Sequence, residues 1–282
     1  MIQGTPSRTA LAAARHRALH QIAEQGAILA DPFALRIVAS EPAEADAAAA
    51  DIEAARPMRL FIALRSRFAD DCVRNARARG VRQIVVLGAG LDLTAFRLES
   101  EKGVTIFEVD HPDTQAWKQS LLREAGMAVP DMVRFVPVDF EREQLGDRLA
   151  ANGFDGSRPA IFIWLGVTPY LTIAAILATL RFVAGLQGGA EIVFDYGEPL
   201  DTLQGAAREA RLSRMVQVAA MGEPWISLFH PAAMQDILRG QGFRHVEDRS
   251  LWETAALYNP HSPKGDGGGG RIVRACNFEV MA

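Results

Sequence analysis

Two cysteines, three tyrosines and four tryptophans in 282 residues leave little material for several kinds of protein. Cys72 and Cys276 stand far apart in the chain and away from any His or Cys at ligand spacing, which excludes a disulfide framework and a structural zinc site. A reducing compartment, the cytoplasm, is the expected location. Charge of one sign is also missing: 30 Lys and Arg against 34 Asp and Glu leave a net charge of −4. No general basic surface exists to neutralise a phosphate backbone, so nucleic acid is not an expected partner. No window approaches the ~18 consecutive apolar residues of a spanning helix, so no membrane partner is expected. The apolar stretch from Ala10 to Ala14 is cut by Arg15, His16 and Arg17 before it reaches signal-peptide length. There is no G-x-x-x-x-G-K-[ST] run, which removes the P-loop reading, and no internal repeat.

What is present is ordinary globular composition, 49% hydrophobic and 23% charged, long enough for one elaborated domain. Short apolar runs at Gln83 to Leu87, Val104 to Val109, Val133 to Val138, Ala160 to Leu165 and Glu191 to Asp195 alternate with helical stretches at Pro112 to Ala125, Arg142 to Ala151 and Thr172 to Leu186. Strands separated by helices of crossover length imply a parallel, doubly wound α/β sheet. Thr9 to Ala27 and Met58 to Arg79 read as helices preceding it, with a turn at Asp31-Pro32 and an acidic, loosely packed connector over Glu41 to Glu53. A helical insertion follows at Thr202 to Ala220, then a Pro-initiated helix at Pro231 to Arg239. The runs Phe243 to Leu251 and Arg271 to Phe278 close the chain as a hairpin, joined through the flexible Gly-rich stretch Lys264 to Gly270. The expected parts are a helical cap over 1–57, a core over 58–199, a helical lid over 200–241 and the terminal hairpin over 242–282.

One motif carries chemistry. Ile84-Val-Val-Leu-Gly-Ala-Gly-Leu-Asp92 is a buried strand breaking into a turn where Gly88 and Gly90 permit tight geometry and close ligand approach. Twenty positions after Gly90 a second strand ends on Asp110, placed to accept hydrogen bonds from a ribose diol. A third ends on Asp139-Phe140, putting another carboxylate and an aromatic ring at the same sheet edge. The dinucleotide fingerprint needs a third Gly where this chain has Leu93, and Asp92 would repel a pyrophosphate. S-adenosyl-L-methionine has no phosphate and carries a positive sulfonium and ammonium, so acidic neighbours favour it over NAD.

In this order, Ala14-Arg-His-Arg-Ala18, Asp31-Pro-Phe-Ala34, Leu64-Arg-Ser-Arg-Phe-Ala-Asp-Asp71, Val81 to Asp92, Phe107-Glu-Val-Asp-His-Pro112, Val138-Asp-Phe140, Trp164-Leu-Gly-Val-Thr-Pro-Tyr-Leu171 and Phe194-Asp-Tyr-Gly-Glu-Pro199 resemble the bacterial class I S-adenosylmethionine-dependent methyltransferases of the leucine carboxyl methyltransferase superfamily. The resemblance implies a Rossmann-like seven-stranded sheet whose final strand inserts antiparallel. It implies that Arg65 contacts the methionine carboxylate, that Gly88 and Gly90 lie under the cofactor, that Asp110 holds the ribose, and that Asp139 with Phe140 receives the adenine. Protein-methylating relatives commonly carry a Glu where this chain has Leu165, which leaves backbone groups of Leu165 and Gly166 as the expected cofactor contacts and weakens a protein carboxylate as substrate.

The expected activity is O-methylation of a small-molecule carboxylate or hydroxyl, in secondary metabolism. The alternatives are a protein C-terminal carboxyl methyltransferase, a NAD-binding oxidoreductase and a nucleoside-binding protein without catalysis. A carboxylate acceptor needs no base; a hydroxyl does, and His111, His230 and Asp195 are candidates, each more readily read as structural, so no catalytic residue is nominated. Arg17 stands on the first helix where the resemblance implies a basic residue facing the acceptor, and reads equally as a solvent-exposed helix charge; Tyr170 and Trp225 either shape an apolar acceptor pocket or pack the core. Glu99 and Glu101 have no expected role. The first helix and the 202–220 insertion, outside the sheet, are expected to form the lid. The apolar insertions would serve a homodimer as readily as a substrate.

Overall fold

A computed structural model describes residues 7–39, 52–53, 55–140, 142–259 and 269–278. Seven strands form one sheet: β1 (Gln83–Leu87), β2 (Thr105–Asp110), β3 (Val133–Pro137), β4 (Ala160–Trp164), β5 (Ala190–Gly197), β6 (His245–Ser250) and β7 (Gly270–Cys276). Their order is β3-β2-β1-β4-β5-β7-β6. The first five are parallel, and β7 lies antiparallel between β5 and β6. The doubly wound seven-stranded architecture with an inserted antiparallel last strand is therefore the one observed.

The apolar runs are continuous because both faces of the sheet are covered. Along β1, Val85 and Leu87 pack into one core cluster, while Ile84 and Val86 pack into the opposite one. The first cluster is closed by Leu149, Ile176, Leu180, Met234 and Leu238 from helices on that face. The second is closed by Phe68, Ala69, Cys72, Val73 and Ala76 of the long helix Arg56–Ala78. Both cysteines are buried free thiols. Strand β6, with the sequence His-Val-Glu-Asp-Arg-Ser, is only partly buried, and its charges protect the sheet edge.

Two helices were not legible as such. Asp31-Pro32 is not only a turn: it opens a helix, Pro32–Ala39, in which Asp31 Oδ1 accepts the Ala34 N–H at 3.2 Å. Ile37 from that helix joins Ala14, Leu91, Leu93 and Leu121 in a third cluster. The terminal strands do pair, but the connection between them begins with the helix Leu251–Tyr258, started by a capping box between Ser250 and Glu253. The remainder of that connection, 260–268, and most of the acidic connector, 40–51, lie outside the described residues.

Since β1 to β5 run in one direction, the segments after them share one edge. The glycine turn, Asp110, Asp139-Phe140, the 165–171 stretch and the end of β5 thus converge there, as a switch-point site requires.

Candidate functional site

The glycine turn is held from several sides. Gly88 and Gly90 adopt φ of +61° and +46°, which L side chains rarely occupy. A Cβ on Gly88 would stand 2.4 Å from Val167 Cγ2, and one on Gly90 2.9 Å from Ala10 Cβ on the first helix, Arg8–Ala23. The Asp110 carboxylate accepts the Gly90 N–H and, at 2.6 Å, the His111 N–H. Burial raises the Asp110 pKa, offset by those two amides. Each carboxylate oxygen retains a lone pair for a further donor.

Beneath the turn lies a buried ionic network. Arg17 donates from Nε to Asp31 at 3.1 Å and from Nη2 to the Leu91 carbonyl at 2.6 Å. Arg97 bonds both oxygens of Asp70, at 2.8 and 3.0 Å, and also Asp31 at 3.0 Å. The Lys118 ammonium reaches Glu108 Oε2 and the Asp92 carbonyl, each at 2.6 Å. Arg17 is therefore taken up in bracing the turn: its side chain is 5% exposed, with the Asp31 carboxylate in reach where the acceptor was expected. Asp92 is likewise committed, accepting the Thr94 N–H at 2.7 Å. Burial works against its ionisation, but Arg97, Arg17 and Lys118 bring its pKa down to about 2. Those three cations are shared with Asp31, Asp70 and Glu108, so the network keeps an excess of negative charge and the Asp92 carboxylate stays ionised beside the turn.

On the other side of the turn, Arg65 Nη1 pairs with Asp195 Oδ2 at 2.7 Å, and Asp195 Oδ1 accepts the Gly166 N–H at 2.5 Å. The Thr168 hydroxyl donates to the Asp195 carbonyl at 2.7 Å. Gly166, at φ +72°, has no room for a Cβ, which would meet Arg65 Nη2 at 2.7 Å. These contacts give the Gly166-Val-Thr168 stretch a physical reading: no side chain beside the arginine, an apolar one over Gly88, and a hydroxyl tied to β5. The Arg65 Nε is buried and has no hydrogen-bond partner. Leu165 packs into the core and leaves its backbone at the edge. Asp139 is half-buried and anchors the turn after β3 through its own backbone N–H, which donates to Glu143 at 2.9 Å; Phe140 lies against the core beside it.

The lid expected over 202–220 is a helix, Gly205–Ala220. The segment after it is strapped to the 165–171 stretch: Ile226 N–H and Ser227 N–H both donate to the Pro169 carbonyl, and the Ser227 hydroxyl donates to the Leu171 carbonyl at 2.6 Å. The strap brings Trp225 near Tyr170. Burial raises the Tyr170 pKa, opposed by Trp225 and Thr9 beside its hydroxyl. The Trp225 Nε1 makes no hydrogen bond of ordinary geometry. Glu223 clasps the first helix, accepting from the Arg8 N–H at 2.8 Å and from the hydroxyls of Ser7 and Thr9.

Of the candidate bases, His111 accepts the Asp113 N–H at the start of a helix, His230 is exposed beside Asp201, and Asp195 is held by Arg65 and Gly166. Sequence reasoning missed His16. Its Nδ1 is buried without a partner, and burial together with Arg214, Arg59 and Arg65 lowers its pKa to about 4. It stood inside a recognised segment, but nothing in the helical pattern says which neighbours it meets. Glu101 is tied to Arg77 and Arg82 away from the edge. Among the described residues no group of three or more His, Cys, Asp or Glu could hold a metal, and no helix is long and apolar enough to cross a membrane.

The family model for leucine carboxyl methyltransferase matches residues 10–184, more than half of the chain. The chain belongs to that family. A Bacillus subtilis relative, provisionally named S-adenosyl-L-methionine-dependent methyltransferase YktD, is 36% identical over 192 residues, covering 66% of this chain and 62% of the relative. A Mycolicibacterium gilvum protein with the same provisional description is 35% identical over 196 residues, covering 68% and 63%. The chain thus spans under two thirds of the length of these relatives. A solved structure from Streptomyces avermitilis, of a DUF574 family protein, has the same fold over 93% of this chain and 96% of its own, with a TM-score of 0.53 and 15% identity.

Proposed function

We propose that the protein is an S-adenosyl-L-methionine-dependent O-methyltransferase acting on a carboxylate or hydroxyl of a small molecule. The observation that carries the reading is the buried, unpartnered Nε of Arg65 beside the glycine turn. A guanidinium N–H left dry and unbonded costs free energy unless a ligand completes it, and a methionine carboxylate does so in this place. Asp110 supplies acceptor capacity for a ribose at the end of β2, and the Phe140 ring offers a face to an adenine. Among these residues nothing forms the paired phosphate cradle of a dinucleotide, and Leu93 occupies the third glycine position.

The cofactor, when bound, supplies an electrophilic methyl group. The work left to the chain is alignment and exclusion of water. Arg65, fixed by Asp195, orients the amino-acid end; Gly88 and Gly90 allow the backbone to approach; the lid helix and the first helix, joined through Glu223, shut the acceptor side. Tyr170, with Thr9 and Trp225 beside its hydroxyl, is read as lining that side. Arg17 acts at one remove, by holding the Leu91 carbonyl and so the shape of the turn. Leu165 in place of Glu favours a small acceptor over a protein terminus.

Calorimetry tests the cofactor assignment. Asp110→Ala should weaken S-adenosylmethionine binding by about 1.5 to 3 kcal/mol through loss of charge-assisted hydrogen bonds. An affinity equal to that of the unaltered protein, or tighter binding of NAD than of S-adenosylmethionine, would remove the reading.

A further inference from the structure

The lid helix carries a cation that the arrangement described so far does not use. Arg211 is half-buried, yet among the described residues its guanidinium makes no hydrogen bond and no ion pair. It lies 5.0 Å over the Trp225 ring. Its two terminal nitrogens occupy slots left by glycines: a Cβ on Gly197 would stand 2.8 Å from Nη1, and one on Gly269 2.9 Å from Nη2. The nearest carboxylate, Glu198, is turned elsewhere, accepting the Gly269 N–H at 2.6 Å and lying 3.9 Å from Arg271. Burial, only partly offset by Glu198, lowers the Arg211 pKa to about 10.

A second polar group beside it is also unmatched. The Trp225 Nε1 is buried and makes no hydrogen bond of ordinary geometry, the Tyr170 hydroxyl being the polar group beside it, and an indole N–H can only donate. A guanidinium without a counter-ion among the described residues, stacked on an indole whose N–H is poorly matched, with the adjacent carboxylate already engaged, selects a ligand rich in acceptor oxygens and negative in charge. We propose that Arg211 and Trp225 form an oxyanion subsite under the lid, recognising a carboxylate or phosphate group of the methyl acceptor that is not itself the methylated atom.

This proposal rests on the methyltransferase reading and deepens it by naming the charge of the substrate. The anion held here is a handle because lone pairs engaged by a guanidinium and an indole N–H are poor nucleophiles. The methylated oxygen is therefore a second group on the same molecule.

The test uses the full chain, first loaded with S-adenosylhomocysteine and then titrated by calorimetry with phenylacetate, phenyl phosphate and neutral phenylacetamide. At least one anion should bind ten-fold or more tightly than the amide; which of the two does so separates carboxylate from phosphate. Arg211→Gln should bring that preference within two-fold, Arg211→Lys should keep part of it, and Trp225→Phe should weaken the anion about three-fold or more while S-adenosylhomocysteine binding stays within two-fold of the unaltered protein. No preference for either anion, or a preference that survives Arg211→Gln, overturns the subsite. Should S-adenosylhomocysteine itself fail to bind, the methyltransferase reading falls, and the same anion series on the unloaded protein still decides the subsite.

Discussion

Arg65 and Asp195 meet at 2.7 Å where the long helix before the sheet crosses the end of β5. The pair is buried, with side chains 12% and 5% exposed, and Asp195 also accepts the Gly166 N–H. Taking away one charge of such a pair leaves the other without compensation. Asp195→Asn should lower unfolding free energy by about 3 kcal/mol in urea titrations, with a loss of S-adenosylmethionine affinity as Arg65 loses its orientation. A stability unchanged within about 0.5 kcal/mol would show that the pair does not fix Arg65.

Gly88 and Val167 are in van der Waals contact by virtue of a missing side chain. Gly88→Ala adds a methyl 2.4 Å from Val167 Cγ2 and places an L residue at φ +61°. We expect a loss of about 2 to 3 kcal/mol, of which adding Val167→Ala restores the steric part and leaves about 1 kcal/mol for the backbone. Denaturation of the single and double variants measures both. Equal losses in the two would mean that the contact has no energetic weight.

His16 gives the stability a pH dependence whose sign follows from its lowered pKa. The free imidazole titrates near 6.5, and the folded one near 4. Between those values the unfolded chain binds more protons than the folded one, so this residue's contribution is present above about pH 6.5 and is lost as pH falls toward 4. From pH 7 to 4 the unaltered protein should lose on the order of 2 to 3 kcal/mol more than His16→Phe does. Parallel pH curves for the two would contradict the burial of a neutral imidazole among the arginines.

Glu223 places a carboxylate on the first amide of the helix Arg8–Ala23, where the orphan N–H groups and the helix dipole favour an anion. Glu223→Ala should cost about 1 to 2 kcal/mol and free the first helix from the lid strap. Limited proteolysis should then cut the N-terminal helix several-fold faster, while Glu223→Gln, which keeps an acceptor oxygen, should fall between. Cleavage at the original rate would rule out the clasp.

Strand periodicity, the glycine turn and the acids at the ends of the second and third strands were legible because they obey local rules: a strand covered on both faces is continuously apolar, and a tight turn needs glycine. The capping signals of Asp31-Pro32 and Ser250-Leu-Trp-Glu253 were present too, but a turn and the extension of a strand read equally well from the same letters. Arg17 was misplaced for a different reason. Helical periodicity orients a side chain relative to its own helix and says nothing of the carboxylates another segment brings to it.

By itself the sequence determined a doubly wound sheet with a ligand edge at the carboxyl ends of its strands, since composition, spacing and turn chemistry act within a few residues of each position. Only the tertiary structure decided which charges are matched and which are left over. Arg17 and Asp92 are absorbed into a buried network, whereas the Arg65 Nε and the His16 Nδ1 are buried without a partner. Whether a cation is bracing or binding depends on partners tens to more than a hundred residues distant, and those meetings are set by packing.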